Sequence, residues 1–214
     1  MLTPAPWHVT GRGFILVYRF TQNFIRESCF LSEKFKTLKW SGLGYVMIVD
    51  YKDSPVGPYH ELLIMPGKAR FNQTRRNTIS KIYVDSKESM LNGRNNWGIP
   101  KELTEFIWTE NNGCHFIEIG SNPKWFKITV ETGSIPFPID TRLLSIHLHQ
   151  ELEKIIFKVS PICNGQGHFA WLKQIKVDPH YFPEISLQKP LLALYANPFK
   201  LTLSKPLYKY LNGD

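Results

Sequence analysis

The sequence predicts a single, mainly β domain built on an antiparallel sheet or barrel, with a few short peripheral helices. Short apolar runs rich in β-branched and aromatic residues recur along the chain, divided by Gly, Pro, Asn and Asp, which is the pattern of strands joined by tight turns. Hydrophobic residues make up 43% and charged residues 21% of the 214, enough to bury a sizeable core. No internal repeat, low-complexity tract or Gly/Ser linker marks a boundary, so residues 1–214 are read as one domain, as all-β chains of this length commonly are.

Candidate strands occupy residues 13–20, 44–51, 61–65, 79–84, 114–119 and 125–131, followed by 145–149, 155–159, 170–177 and 191–195. The clearest helix begins after Asp85 or Ser86, where Asp85 and Glu88 have the spacing of a capping box, and is expected to stop near Asn92 and Gly93. A second short helix is expected from Pro100, a favourable first helical residue, through Glu105. That helix would set Lys101 against the positive end of the backbone dipole and disfavour a proton on its amine. Gly11-Arg12-Gly13 and Gly165-Gln166-Gly167 lack the strand-to-helix setting of phosphate-binding loops and are read as turns. The proline-containing ends are expected to lie extended across the surface.

Twenty-six Lys and Arg against 18 Asp and Glu give a net charge of +8, which favours anionic partners. The densest basic stretch, residues 68–76 around Phe71, carries no nucleic-acid motif and is read as a solvated loop. Nucleic acid is therefore not an expected partner. Cys29, Cys114 and Cys163 are widely spaced with no CxxC, which suggests neither a disulfide framework nor a zinc ribbon and fits a reducing compartment. The N-terminal residues lack the charged start and apolar run of a signal peptide, and no stretch approaches the roughly 20 apolar residues of a membrane span. The expectation is a cytoplasmic protein without membrane association. His147 and His149 fall on one face of a candidate strand, as two metal ligands would, but no third ligand accompanies them, and they are read as a polar strand face with no metal.

Two stretches carry the chemistry. In Ser54-Pro-Val-Gly-Pro-Tyr-His-Glu61 a rigid turn precedes an apolar strand that begins with a carboxylate. Lys101 follows Trp97, Ile99 and Pro100, an apolar setting that would desolvate its amine and lower its pKa toward a nucleophilic form. Taken singly, each residue is also read as an ordinary solvated surface group.

Together, Pro55-Val-Gly-Pro-Tyr-His-Glu61, Ile82-Tyr-Val-Asp85 and Gly93-Arg94 through Trp97-Gly-Ile-Pro-Lys101 resemble the acetoacetate decarboxylase family, in particular its shorter members. The similarity runs from about residue 4 to residue 206 and is distinctive over residues 54–106. The resemblance implies a closed or partly closed, cone-like antiparallel barrel whose interior holds the reactive lysine. It implies Lys101 as the imine-forming residue, Glu61 as the carboxylate that contacts the site, and, less directly, Arg12 as its arginine. Arg12 or Arg94 would bind a substrate carboxylate through paired donors, with Trp97 in the wall of the pocket. Arg94 has a second reading, as a cap on helix carbonyls. No cofactor is implied, since a protonated imine is itself an electron sink. This chain departs from the decarboxylases by Glu102, where they carry a second lysine, and by Val46, where they carry a second glutamate. The function expected is an imine-forming lyase acting on a small oxo acid by decarboxylation, aldol or dehydration chemistry, with acetoacetate decarboxylation slow or absent. The rival reading is a non-catalytic barrel that binds a small apolar or acidic ligand, with Lys101 as counter-ion. Family members often assemble into homo-oligomers, although the chain carries no interface signature of its own.

Overall fold

The structure, a computed structural model, describes residues 2–143 and 146–211. The strands of the first half are β1 (Trp7–Tyr18), β2 (Trp40–Ser41), β3 (Gly44–Asp53), β4 (Tyr59–Met65), β5 (Lys68–Phe71), β6 (Thr74–Asn77), β7 (Lys81–Val84) and β8 (Lys101–Leu103). Those of the second half are β9 (Phe106–Asn111), β10 (Cys114–Ile119), β11 (Phe126–Asp140), β12 (Leu148–Leu152), β13 (Ile155–Val159), β14 (Ile162–Val177), β15 (Leu192–Leu203) and β16 (Leu207–Tyr210). Among the described residues three α-helices interrupt them: α1 (Gln22–Ser28), α2 (Glu33–Lys36) and α3 (Lys87–Trp97).

A ten-stranded sheet in the order β8-β7-β4-β3-β1-β15-β14-β11-β10-β9 curls into a half-barrel, antiparallel throughout except for the parallel pair β7 and β8. A six-stranded sheet, β16-β13-β12-β6-β5-β2, accompanies it. The ten sequence-predicted strands all fall on observed ones, although Ser145 in the candidate 145–149 lies outside the described residues and the strand there is Leu148–Leu152. Residues 68–76, expected as a solvated loop, fold into the β5-β6 hairpin. No helix among the described residues is long and apolar enough to cross a membrane.

Side-chain alternation gives the large sheet two buried faces. Phe14, Val46, Ile48, Leu62, Ile64 and Phe126 belong to one apolar cluster. Trp7, Val49, Tyr51, Leu63, Ile82 and Trp97 belong to a second, which takes in Leu148 and Val159 of the small sheet. Truncating a fully buried member such as Ile48 or Ile82 to Ala removes about 2–5 kcal/mol of stability. Trp7 and Trp97 meet edge to face at 5.1 Å, an aromatic contact worth about 1 kcal/mol beyond its buried area.

Three local expectations need correction. Residues 11–13 and 165–167 are not turns but lie inside β1 and β14, at points where neighbouring strands come too close for a Cβ. A Cβ on Gly13 would sit 2.8 Å from the Ile48 carbonyl oxygen, and one on Gly165 2.7 Å from Phe199 Cα. The helix expected from Pro100 is instead the strand β8, because parallel pairing of Ile82 with Lys101 and Tyr83 with Glu102 outweighs the local preference of a three-residue segment. Helix α3 runs on to Trp97. Ser86, not Asp85, caps its start by accepting from the Ser89 N–H at 3.1 Å, while Asp85 is engaged by the His60 N–H at 2.7 Å. Its end is set by Gly98, left-handed at φ 62°, whose N–H returns to the Arg94 carbonyl.

Candidate active site

Three elements converge on one buried ion pair. On β4, Tyr59, Glu61, Leu63 and Met65 point to the side of the second cluster while His60, Leu62 and Ile64 point away. On β8 the same alternation turns Lys101 inward and leaves Glu102 half-exposed. Across them lies α3, with Ser89, Gly93 and Trp97 at i, i+4 and i+8 on one face. Ser89 and Gly93 keep that face small where it covers the lysine, and Trp97 closes it at the far end. The Lys101 stem packs so closely on Gly93 that a Cβ there would stand 2.7 Å from Cδ and 2.8 Å from Cε.

Lys101 Nζ lies 2.8 Å from Glu61 Oε2 and donates to Ser89 Oγ at 2.9 Å, and both charged residues are 4% exposed. The Tyr51 hydroxyl donates to the other Glu61 oxygen, Oε1, at 3.1 Å, and the ammonium sits 5.0 Å from the centroid of the Tyr59 ring. Burial lifts the Tyr51 hydroxyl well above the ordinary tyrosine range, with the Glu61 charge adding to it, so Tyr51 remains a donor. For Lys101 burial is the largest single influence and acts downward. The opposing influences, led by the Glu61 carboxylate, outweigh it and leave the amine above the ordinary lysine value. This corrects the expectation of a lowered pKa, as does the absence of a helix start at Lys101.

The pair opens onto a cavity of about 140 Å³, similar in size to one that accommodates benzene. Its walls are apolar, among them Met47, Leu63, Ile82, Trp97, Ile99 and Phe199, and its charged residues are Glu61 and Lys101. The structure therefore brings Glu61, Lys101 and Trp97 together at one place. Trp97 is fixed there by its indole N–H, which donates to the Ser204 carbonyl at 2.8 Å.

The two arginines are not brought to the cavity. Arg12 alternates with the cavity-lining Gly13 and so points to the other side of β1, where Nε donates to Asp50 at 2.9 Å, Nη1 to Glu110 at 2.5 Å, and the guanidinium lies 5.3 Å over the Trp108 ring. Arg94 is exposed, and its Nε donates to the Lys101 carbonyl at 2.8 Å, which ties β8 back to α3. It caps a carbonyl as its second reading held, but that of the lysine rather than one of the helix. Glu102 pairs with Lys81 at 2.6 Å, away from the cavity, and Val46 belongs to the opposite core. His147 bonds Ser160, while His149 is buried and stacked on Phe71 at 3.8 Å; among the described residues no three His, Cys, Asp or Glu gather as metal ligands.

Sequence reasoning missed Ser89, Tyr51 and Tyr59 as members of the site. The first was detectable from its four-residue spacing to Gly93. The tyrosines required the β3-β4 register, which sets Tyr51 opposite Tyr59.

Comparison with known proteins bears on the family and the fold. The family model described as acetoacetate decarboxylase matches residues 2–137. No curated protein matches the sequence. Among solved structures, the acetoacetate decarboxylase of Legionella pneumophila superposes with a TM-score of 0.75 at 13% identity, covering 96% of this chain and 88% of that one. The enduracididine biosynthesis enzyme MppR, complexed with the condensation product of pyruvate and imidazole 4-carboxaldehyde, gives 0.66 at 14% identity over 99% of this chain and 91% of its own. An acetoacetate decarboxylase-like enzyme from Sphingomonas wittichii RW1 gives 0.65 at 11% identity over 99% and 95%. At these identities the structural matches speak for the fold.

Proposed function

The chain belongs to the acetoacetate decarboxylase family, and from that premise we propose that it is an imine-forming lyase acting on a small carbonyl compound. The observation that carries this reading is the 2.8 Å contact between Lys101 Nζ and Glu61 Oε2 inside an apolar cavity. Glu61 takes a proton from the Lys101 ammonium along that contact, and the free amine attacks the carbonyl carbon. The carbinolamine then loses water, its hydroxyl leaving with the proton that Glu61 returns, and the product is a cationic imine paired with the Glu61 carboxylate. Tyr51 holds Glu61 from the far side and Ser89 holds the amine, so the two groups are aligned before a substrate arrives. Which bond breaks next, by decarboxylation, aldol or dehydration chemistry, depends on the bond the pocket aligns with the imine. We place the activity in the cytoplasm, on the three free cysteines.

The rival reading, a barrel that binds a small ligand without turnover, draws support from Lys101 itself, because a lysine raised above its ordinary value is an ammonium at neutral pH. Reduction with borohydride in the presence of small ketones and oxo acids separates the two. A reduced adduct mapped to Lys101 by mass spectrometry is the expected result, and its absence from correctly folded protein favours the binder.

A further inference from the structure

Resting on the imine reading of Lys101, we infer that this site takes a neutral, apolar ketone or aldehyde rather than an oxo-acid anion. The inference comes from the charges inside the cavity. Glu61 and Lys101 are the charged groups among its lining residues, and they neutralise each other. The hydroxyl groups of the wall are already engaged: the Tyr51 hydroxyl donates to Glu61, the Tyr59 hydroxyl is hydrogen-bonded to Ser89 and Lys101, and Thr141 Oγ1 donates to the Cys163 carbonyl and accepts from the Cys163 N–H. Arg12 is held by Asp50 and Glu110 on the opposite face of β1, and Arg94 binds the Lys101 carbonyl from outside.

A substrate carboxylate entering this cavity would therefore meet no counter-ion of its own. It would compete with Glu61 for a single ammonium and leave one buried negative charge uncompensated, which an apolar enclosure strongly opposes. A neutral carbonyl compound raises no such problem. The ammonium and the carbonyl group combine to give one iminium and one water, so the cavity holds one positive and one negative charge before the reaction and the same after it. The surrounding Met47, Leu63, Ile82 and Phe199 then meet hydrocarbon.

The test uses a pair of probes with the same skeleton, levulinate and 5-methyl-2-hexanone, in which an isopropyl group replaces the carboxylate. Each is incubated with the full chain and borohydride, adducts on Lys101 are quantified by peptide mapping, and binding is followed by the shift in thermal midpoint without reductant. The ketone is expected to label Lys101 more than about tenfold faster than levulinate. Equal or faster labelling by levulinate overturns the neutral-substrate inference and leaves the imine reading standing. If neither probe labels Lys101 while the ketone alone raises the midpoint, the imine reading fails and the ligand class is upheld. If neither labels or binds, both are overturned.

Discussion

Burial pulls the Lys101 ammonium toward losing its proton, and the Glu61 carboxylate leads the influences that hold the proton on. Removing the carboxylate while keeping the shape, by Glu61→Gln, takes away the leading influence that opposes burial. The expected outcome is that Lys101 loses its proton at lower pH than in the unaltered protein, measured as the pH dependence of its acylation by acetic anhydride. An unchanged or higher titration point would show that Glu61 is not what holds the proton. The same variant should be slow in imine trapping despite its freer amine, because no carboxylate is left to return a proton to the leaving hydroxyl. Glu102 is a contrasting case. Alternation along β8 places it beside Lys81 and away from the cavity, so Glu102→Lys replaces a partly buried ion pair with two like charges, at a cost of about 1 kcal/mol or more. Its rate of Lys101 trapping should stay within about twofold of the parent. A large rise would mean that the substituted side chain reaches the amine after all.

Helix α3 and the turn that ends it position the lysine, and two of their glycines do so in separable ways. Gly98 is left-handed, and a Cβ there would also stand 2.7 Å from Phe157 Cε2. Gly98→Ala is therefore expected to cost about 1–3 kcal/mol, lowering the thermal midpoint by several degrees. Gly93 has ordinary helical backbone, where Ala is favoured by about 1 kcal/mol. Its added Cβ instead meets the Lys101 stem. Gly93→Ala should leave the thermal midpoint within a few degrees while slowing imine trapping more than about tenfold. If Gly93→Ala traps as fast as the parent, the close packing of the stem on α3 is not what aims the amine.

At the scale of the whole molecule, both apolar clusters are built on the same strands, with Val46, Ile48 and Leu62 serving one and Val49, Leu63 and Tyr51 the other. Neither core can be lost while β3 and β4 remain paired, so unfolding should be one transition. Trp125 reports on one cluster and Trp97 on the other. Fluorescence of single-tryptophan variants and far-ultraviolet dichroism should give coincident denaturant curves, and two separated transitions would mean independent cores. Stability should also fall at both ends of the pH scale. Burial lowers His115 and His149, so the unfolded chain binds more protons there and stability declines as pH drops below about 6.5. Lys101 is raised in the folded state, so its contribution is complete below about 10.4 and is lost as pH rises through the folded value. A thermal midpoint that is flat from pH 5 to pH 8 would count against the acid limb.

The amino-acid order by itself determined the β-rich class, the run of strands and the pairing of Glu61 with Lys101 as residues of interest, because period-two alternation, turn residues and a distinctive motif are local properties of the chain. It also determined the position of α3 to within a turn at its far end. What only the tertiary structure decided is where each side chain points. Pro100 and Lys101 read locally as a helix start, and it is the neighbouring β7 that makes the segment a strand and sends Glu102 outward. Arg12 reads as a carboxylate ligand until the register of β1 turns it toward Asp50. The state of Lys101 likewise depends on a carboxylate 40 residues away in the chain and 2.8 Å away in space. Burial can be anticipated from apolar neighbours in sequence, but the counter-charge that reverses its effect arrives only when the sheet closes around it.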